Sequence, residues 1–182
     1  MRSVVGGLVL VGMLALTGCV DGDRLPTLPP TPTSTPIFAS EEEALAAAEA
    51  AYAAYNEVSA LVTSEGGIAP ERLAPFVTEA QLQDELETAT LYREQGIHTE
   101  GRASLIRTEL QQFSESGDVV DVVIYACLDI EAVRVIDASG TDVTPVDRAA
   151  LVALEIAFEG REPGPLLLAS SDLWSDSSFC SA

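Results

Sequence analysis

The sequence predicts an α+β domain, in which a long helix and shorter helices pack on a curved antiparallel sheet. Two observations predict it. Between Leu45 and Val62, residues that suit one helix face recur at spacings of three and four. Beyond Gly101, apolar and polar residues alternate, as they do on a strand with one buried face. Helices first and strands afterwards favour this class over an alternating βαβ arrangement.

The long helix is predicted to begin after Ser40 and to end before Gly66-Gly67. Ser40 and Glu43 fit a capping box, in which the serine hydroxyl accepts a hydrogen bond from the Glu43 amide and the glutamate side chain reaches back. The many alanines of this stretch have high helix propensity. We therefore expect one long amphipathic helix here.

Shorter helical segments are predicted between this helix and the strands. Pro70 is expected to open a short helical turn that runs through Leu73. Thr78 to Gln81 offers a second capping box, and the apolar residues behind it share one helix face. Gly96 fits the position of a C-terminal cap, so the second helix is expected to end there.

The second half of the chain is predicted to supply the strands. In the first of them Ile106, Thr108 and Leu110 occupy one side, and the polar residues between them occupy the other. Gly117-Asp118 indicates a turn after it. The further strand segments are Val119 to Ile130, Val152 to Phe158, and Leu166 to Trp174. Ala132 to Ile136 either extends the first of these or follows it as a separate strand, and Ser139-Gly140 closes the hairpin.

Residues 1–18 have the composition of a signal peptide. Arg2 supplies a positive charge, Val4 to Leu16 is an uncharged apolar stretch, and small residues follow before the first acid at Asp21. A membrane-spanning helix is the alternative. A span needs about 20 apolar residues, whereas this stretch ends earlier and contains three glycines. We therefore expect this segment to direct export and to be removed.

The motif Leu16-Thr17-Gly18-Cys19 resembles the lipobox of bacterial lipoproteins, an apolar residue and two small residues before a cysteine. The resemblance implies that Cys19 carries a diacylglycerol thioether and becomes the first residue after cleavage by signal peptidase II. Two or three acyl chains anchor a protein stably, whereas one anchors it only marginally. The predicted location is the extracytoplasmic face of the cell membrane. The alternative is a plain signal peptide with a chance cysteine.

Residues 19–39 are predicted to be the lipidated cysteine and a tether rich in proline and threonine. Its prolines are Pro26, Pro29, Pro30, Pro32 and Pro36. This composition favours extended polyproline II, at about 3.1 Å per residue, and cannot build a core. The tether would hold a globular domain of residues 40–182 away from the bilayer. O-glycosylation of its serines and threonines is an alternative role.

The predicted order, a long helix, shorter helices and then a meander of strands, resembles the cone-shaped nuclear transport factor two-like fold, also called SnoaL-like or cystatin-like. The chain is also similar to actinobacterial lipoproteins that combine a lipobox, a Pro/Thr tether and such a domain. In them a cysteine on a central strand, here Cys127, accompanies a late tryptophan, Trp174, and a near-terminal cysteine, Cys180. The resemblance covers residues 40–182 and implies this fold.

The cysteine count agrees with that resemblance. If Cys19 carries lipid, Cys127 and Cys180 remain in an oxidising compartment, and one disulfide between them is expected. Two unpaired thiols are the alternative. A Cys/His metal site is disfavoured, because the chain has one histidine and no cysteine pair at ligand spacing. We predict neither a metal nor another cofactor.

No catalytic constellation is predicted, and we expect the protein not to be an enzyme. His98 is the only histidine, and a histidine just beyond a helix end is more often structural or exposed. With 29 acidic residues, carboxylate pairs such as Asp172 and Asp176 arise by chance. A SnoaL-like enzyme is kept as an alternative, which Asp121 or His98 facing into a pocket would favour.

A binding role remains. A helix packed across a curved sheet leaves a cavity at the open end, and Tyr52, Tyr55, Tyr125 and Trp174 are the aromatic residues predicted to line it. The alternative is that they belong to the core or its rim. The expected ligand is a partner protein, a cell-wall component or a small apolar molecule, and a structural or accessory subunit is a further alternative. A net charge of −20 disfavours nucleic acid.

Overall fold

The computed structural model describes residues 36–181 as a mixed α+β structure, with a helix-rich region packed on antiparallel strands. The helices are α1 (Glu41–Ser64), a short 3₁₀ helix (Pro70–Leu73), α2 (Glu79–Gln95) and a second 3₁₀ helix (Ser177–Ser181). The strands are β1 (His98–Glu100), β2 (Ser104–Ser116), β3 (Val119–Asp129), β4 (Arg134–Ile136), β5 (Leu151–Arg161) and β6 (Leu166–Leu173). The predicted class is therefore confirmed.

The strands form two separate open sheets. The larger has the order β2-β3-β5-β6 and is antiparallel throughout, and β1 and β4 pair in a small second sheet. The segment before α2 runs along the edge of β6 that faces away from β5. There the Leu168 amide donates a hydrogen bond to the Phe76 carbonyl, and the Leu168 carbonyl accepts one from the Thr78 amide. This contact covers part of the β6 edge.

Helix α1 begins and ends where its local sequence predicts. The Ser40 hydroxyl accepts a hydrogen bond from the Glu43 amide at 3.2 Å, which satisfies one free donor of the first turn. The Glu43 carboxylate reaches back one residue further than a capping box requires, to the Ala39 amide at 2.6 Å. At the other end Gly67 donates to the Val62 carbonyl and closes the final turn.

The two long helices approach closely at Gly67, which has a positive φ of 80°. A Cβ built there would lie 2.2 Å from the carbonyl oxygen of Ala89 on α2, so only glycine fits. At the start of α2 the Thr78 hydroxyl accepts a hydrogen bond from the Gln81 amide as predicted, but the Gln81 side chain donates to Glu85, so only this half of the predicted capping box forms. At its end Gly96 is in the left-handed conformation, as predicted for the C-terminal cap. Arg93 of its last turn donates back to the Gly67 carbonyl.

The larger sheet buries one face and leaves much of the other exposed. We call the face that α1 covers the inner face and the opposite one the outer face. Along β3, Val122, Ile124 and Ala126 point inward and are fully buried, and their register partners on β5 include Ile156 and Phe158. With Ala44, Ala48 and Tyr52 of α1 they form the main core. The alternation predicted for β5 is therefore confirmed.

Strand β2 departs from the simple alternation predicted for it. Its register with β3 shifts between Leu105 and Arg107 and again between Leu110 and Gln112, as at β-bulges. The first shift turns Ile106 outward, where it is 52% exposed, and Leu105 packs on the core instead. The prediction that Ile106 shares the buried side with Leu110 is therefore wrong, because an extra residue reverses the side-chain parity.

The segment after β3 follows it as a separate strand, which is one of the two predicted alternatives. Residues 134–136 pair with β1, a strand that the sequence analysis missed. The turn around Gly140 is present, and Asp137 accepts hydrogen bonds from the amides of Ser139 and Thr141. None of the helices between residues 36 and 181 is both long and apolar enough to cross a bilayer.

Candidate functional site

A cavity of about 480 Å³ opens at one end of the larger sheet. It lies between α1, the residues that precede α1, and the turn that joins β5 to β6. Its apolar walls come from Ile37, Phe38, Pro75, Phe76, Val120, Pro165 and Leu166, together with four alanines of α1. The cavity is therefore an apolar site with walls from both the helical layer and the sheet.

Small residues keep this cavity open. Ala47, Ala50, Ala51 and Ala54 follow one another at helical spacing, so they form one short-side-chain stripe facing the cavity. On the opposite wall Gly160 has no Cβ; one built there would meet Leu166 Cδ2 at 2.8 Å. Larger side chains at these positions would fill the space between helix and sheet.

Charged groups stand at the cavity mouth. Arg161 Nη1 lies 2.7 Å from Asp118 Oδ2, and the Glu162 amide donates to the Asp118 carbonyl at 2.9 Å, so the β5–β6 turn is held to the β2–β3 turn. The hydrogen bond from Arg161 lowers the pKa of the Asp118 carboxyl below its ordinary value. On the other side the Phe38 amide donates to Glu115 Oε1 at 2.9 Å.

Two of the predicted ligand-binding residues, Tyr52 and Tyr55, lie away from this cavity, Tyr52 in the main core and Tyr55 packed against that core and hydrogen-bonded to α2. Their ring centroids are 5.9 Å apart, and the Tyr55 hydroxyl donates to Glu85 Oε1 at 2.6 Å. Burial, and then the Glu85 charge, raise the pKa of Tyr52 to about 12. The same two causes, in the same order, raise the pKa of Tyr55, and its hydrogen bond to Glu85 adds to the effect.

This buried tyrosine pair predicts a loss of stability at alkaline pH. Because the pKa of Tyr52 is raised from 10.0 in the unfolded chain to about 12 in the fold, its contribution is complete below pH 10 and is lost as the pH rises towards 12. At pH 11 the loss from Tyr52 alone should be about 1 kcal/mol. Urea unfolding between pH 8 and pH 11 should show a shallower decline for Tyr52→Phe than for wild type. Equal declines would contradict this origin.

The other two, Tyr125 and Trp174, form a separate cluster on the outer face. Their rings stack with centroids 3.7 Å apart and planes inclined by 7°, and Phe179 meets both rings edge-on. Arg107 covers the Phe179 ring, with Cζ 4.4 Å from its centroid, and donates to the Phe179 carbonyl at 2.8 Å. The four aromatic residues therefore do not converge on one cavity, and none of them lines the apolar site.

The cysteine pair lies beneath this cluster. The sulfur atoms of Cys127 and Cys180 are 2.07 Å apart and the Cα atoms 5.4 Å, which agrees with the expected disulfide. Cys127 is fully buried on β3, while Cys180 belongs to the terminal 3₁₀ helix. The bridge and the aromatic contacts fasten the end of the chain to the outer face.

The remaining candidate residues lie apart from the cavity. Asp121 is exposed on the outer face and His98 begins β1, so neither lines the apolar site. Within residues 36–181 no group of three or more His, Cys, Asp or Glu side chains is arranged to hold a metal ion. Cys19, the proposed signal peptide and most of the proposed tether lie outside the described residues.

Sequence reasoning predicted none of the residues that line the cavity, and it placed two of them outside the globular domain. Ile37 and Phe38 were assigned to the tether, but both pack on the main core, and the Phe38 ring lies 6.0 Å from that of Phe113. The available signal was an adjacent apolar pair just before the Ser40 cap, where a hydrophobic residue often packs against the first turns of a helix. The folded part of the chain thus begins before residue 40.

The comparisons with known proteins give a likeness in fold alone. No protein-family model matches the chain, and no curated protein matches it. The crystal structure of the intermembrane space region of the chloroplast protein ARC6 is similar, with a TM-score of 0.52 and 13% sequence identity. The alignment covers 71% of this chain and 95% of that one. At that identity the likeness supports the mixed α+β architecture.

Proposed function

We propose that this chain is a lipid-anchored protein of the bacterial cell envelope that binds a small apolar ligand without catalysing a reaction. The observation that carries the binding role is the apolar cavity between α1 and the end of the sheet. Its volume of about 480 Å³ lies within the range typical of small-molecule sites, about 300–1,000 Å³. The anchor would be acylated Cys19, and the domain would face the outside of the cell membrane.

We assign the domain to the nuclear transport factor two-like group. A long first helix across the inner face of an antiparallel sheet, with a cavity at one end of the two layers, supports this assignment. The position of the aromatic residues differs from our expectation, because the apolar part of the lining consists of alanines, prolines and aliphatic residues with Phe38 and Phe76. The site thus offers an apolar surface without the four predicted aromatic residues.

Filling the cavity should weaken ligand binding strongly. The double variant Ala47→Leu/Ala50→Leu places two larger side chains on the alanine stripe and keeps helix propensity high. Wild type should bind the uncharged fluorescent dye N-phenylnaphthylamine, and the variant should bind it at least about tenfold more weakly because the apolar surface is occupied by protein. Fluorescence titration measures both dissociation constants.

A matched control separates cavity filling from a general effect on α1. Ala46→Leu/Ala53→Leu makes the same changes at two exposed alanines of the helix that do not line the cavity. This control should bind the dye as wild type does. Equal binding by all three proteins, or no binding by wild type, would contradict the proposed site.

Lipid attachment has its own test. In a bacterium that processes lipoproteins, the wild-type N-terminal peptide should begin at Cys19 and carry a diacylglycerol thioether, which mass spectrometry measures. Cys19→Ala should carry no acyl chain and leave the membrane fraction, because no other anchoring group is proposed. Ser34→Ala, which leaves the lipobox intact, serves as the control. A wild-type chain that begins at Met1 without fatty acid would overturn the anchor.

A further inference from the structure

The charges at the cavity mouth discriminate between classes of apolar ligand. Building on the proposed binding function, we infer that the ligand is an amphiphile with a hydrocarbon tail and a cationic head, and that anionic lipids are disfavoured. The tail enters the cavity between Phe38 and the β5–β6 turn. The head remains at the mouth beside Glu162 and Glu115.

The tail is assigned from the cavity walls. Apart from Arg161 and Glu162, every side chain that lines the cavity is apolar. Within the described part of the chain no buried side-chain nitrogen or oxygen lacks a hydrogen-bond partner, so no wall group needs a polar ligand atom. A polar group carried into this space would lose its water without replacement, which costs several kcal/mol on a hydrocarbon scale, whereas each buried methylene gains about 0.8 kcal/mol.

The head is assigned from the mouth. Arg161 and Glu162 line it directly, Asp118 is ion-paired with Arg161, and Glu115 accepts a hydrogen bond from the Phe38 amide. This group of residues therefore comprises three carboxylates and one guanidinium, a net charge of −2. The opposite charges of Arg161 and Asp118 largely cancel each other. Glu115 and Glu162 therefore dominate the electrostatic potential at the cavity mouth. The chain as a whole carries −20, which adds a field of the same sign.

A charge series at constant tail length tests this inference. Decyltrimethylammonium, decyl glucoside and decanoate should each compete with bound N-phenylnaphthylamine below their micelle concentrations. At an ionic strength of about 0.01 M we expect the cation to compete about tenfold better than the anion, with the uncharged compound between them. The ratio should shrink as salt is raised, because salt screens exposed charges.

Removing one mouth charge locates the effect. Glu162→Gln should lower the cation-to-anion ratio about threefold and leave competition by decyl glucoside unchanged. Glu155→Gln, which removes an exposed carboxylate from the outer face of β5, should leave the ratio as in wild type. Decanoate that competes as well as the cation, or equal ratios in both variants, would overturn the inference. A wild-type protein that binds no dye would instead reject the proposed function itself.

Discussion

The variant Cys127→Ala/Cys180→Ala is expected to unfold with a free energy about 4 kcal/mol lower than that of wild type. The two cysteines are 53 residues apart, so the bridge closes a long loop and removes much conformational freedom from the unfolded chain. Chain-entropy theory gives about 4 kcal/mol for a loop of this length. Losing the fully buried Cys127 sulfur adds a smaller packing cost. Urea unfolding without reductant measures the difference.

Reduction of wild type is the control for this variant. Dithiothreitol breaks the bridge without deleting an atom of the core, so reduced wild type should lose most of the stability that the double variant loses. The variant itself should not respond to the reductant. Alkylation without reductant should leave Cys127 and Cys180 unmodified in intact-mass analysis. Equal stability of oxidised wild type and the variant would contradict a stabilising bridge.

Gly67→Ala is expected to cost at least about 3 kcal/mol of unfolding free energy. The added methyl would sit 2.2 Å from the Ala89 carbonyl oxygen, which belongs to the backbone of α2 and cannot turn aside. The positive φ of 80° adds about 1 kcal/mol of strain for an L residue. Relief of the overlap must move α2 away from the end of α1, which opens the small core of Val62, Leu73 and Ala89.

The control Gly140→Ala separates the stability cost of steric overlap from that of backbone strain. Gly140 has nearly the same φ, 81°, but a Cβ there meets nothing within 4 Å. The control should therefore lose only about 1 kcal/mol, the cost of a left-handed residue. Thermal and urea unfolding of both variants measure the two costs. Similar losses in the two variants would mean that the approach of the helices at Gly67 is not tight.

The helices could be predicted from the sequence because their signals are local. Ser40 and Thr78 cap helices through bonds three residues away, and Gly96 ends α2 through its own backbone conformation. The alternation of buried and exposed residues along β5 could be predicted for the same reason, because it is a local pattern. Features that depend on distant partners were missed: the pairing of β1 with β4, and the bulge between Leu105 and Arg107 that turns Ile106 outward.

The candidate site was predicted only in outline. A cavity between helix and sheet was expected, but β3 reads as a nearly continuous apolar run, so the sequence does not say which of its faces meets α1. Ile124 points inward and its neighbour Tyr125 outward, which separates Tyr125 from Tyr52. The cavity exists because alanines and a glycine leave space between the helix and the sheet. Such small residues give no signal in a search for aromatic linings.

The two bulges of β2 have a consequence for contacts between copies of this chain. In the described region no strand pairs with the far side of β2, and a straight row of free amide and carbonyl groups would invite another polypeptide to continue the ladder. Two register shifts within the 13 residues of β2 twist this free edge. A strand from another chain could therefore pair with only a short stretch of it. Copies packed side by side would thus resist fibril growth.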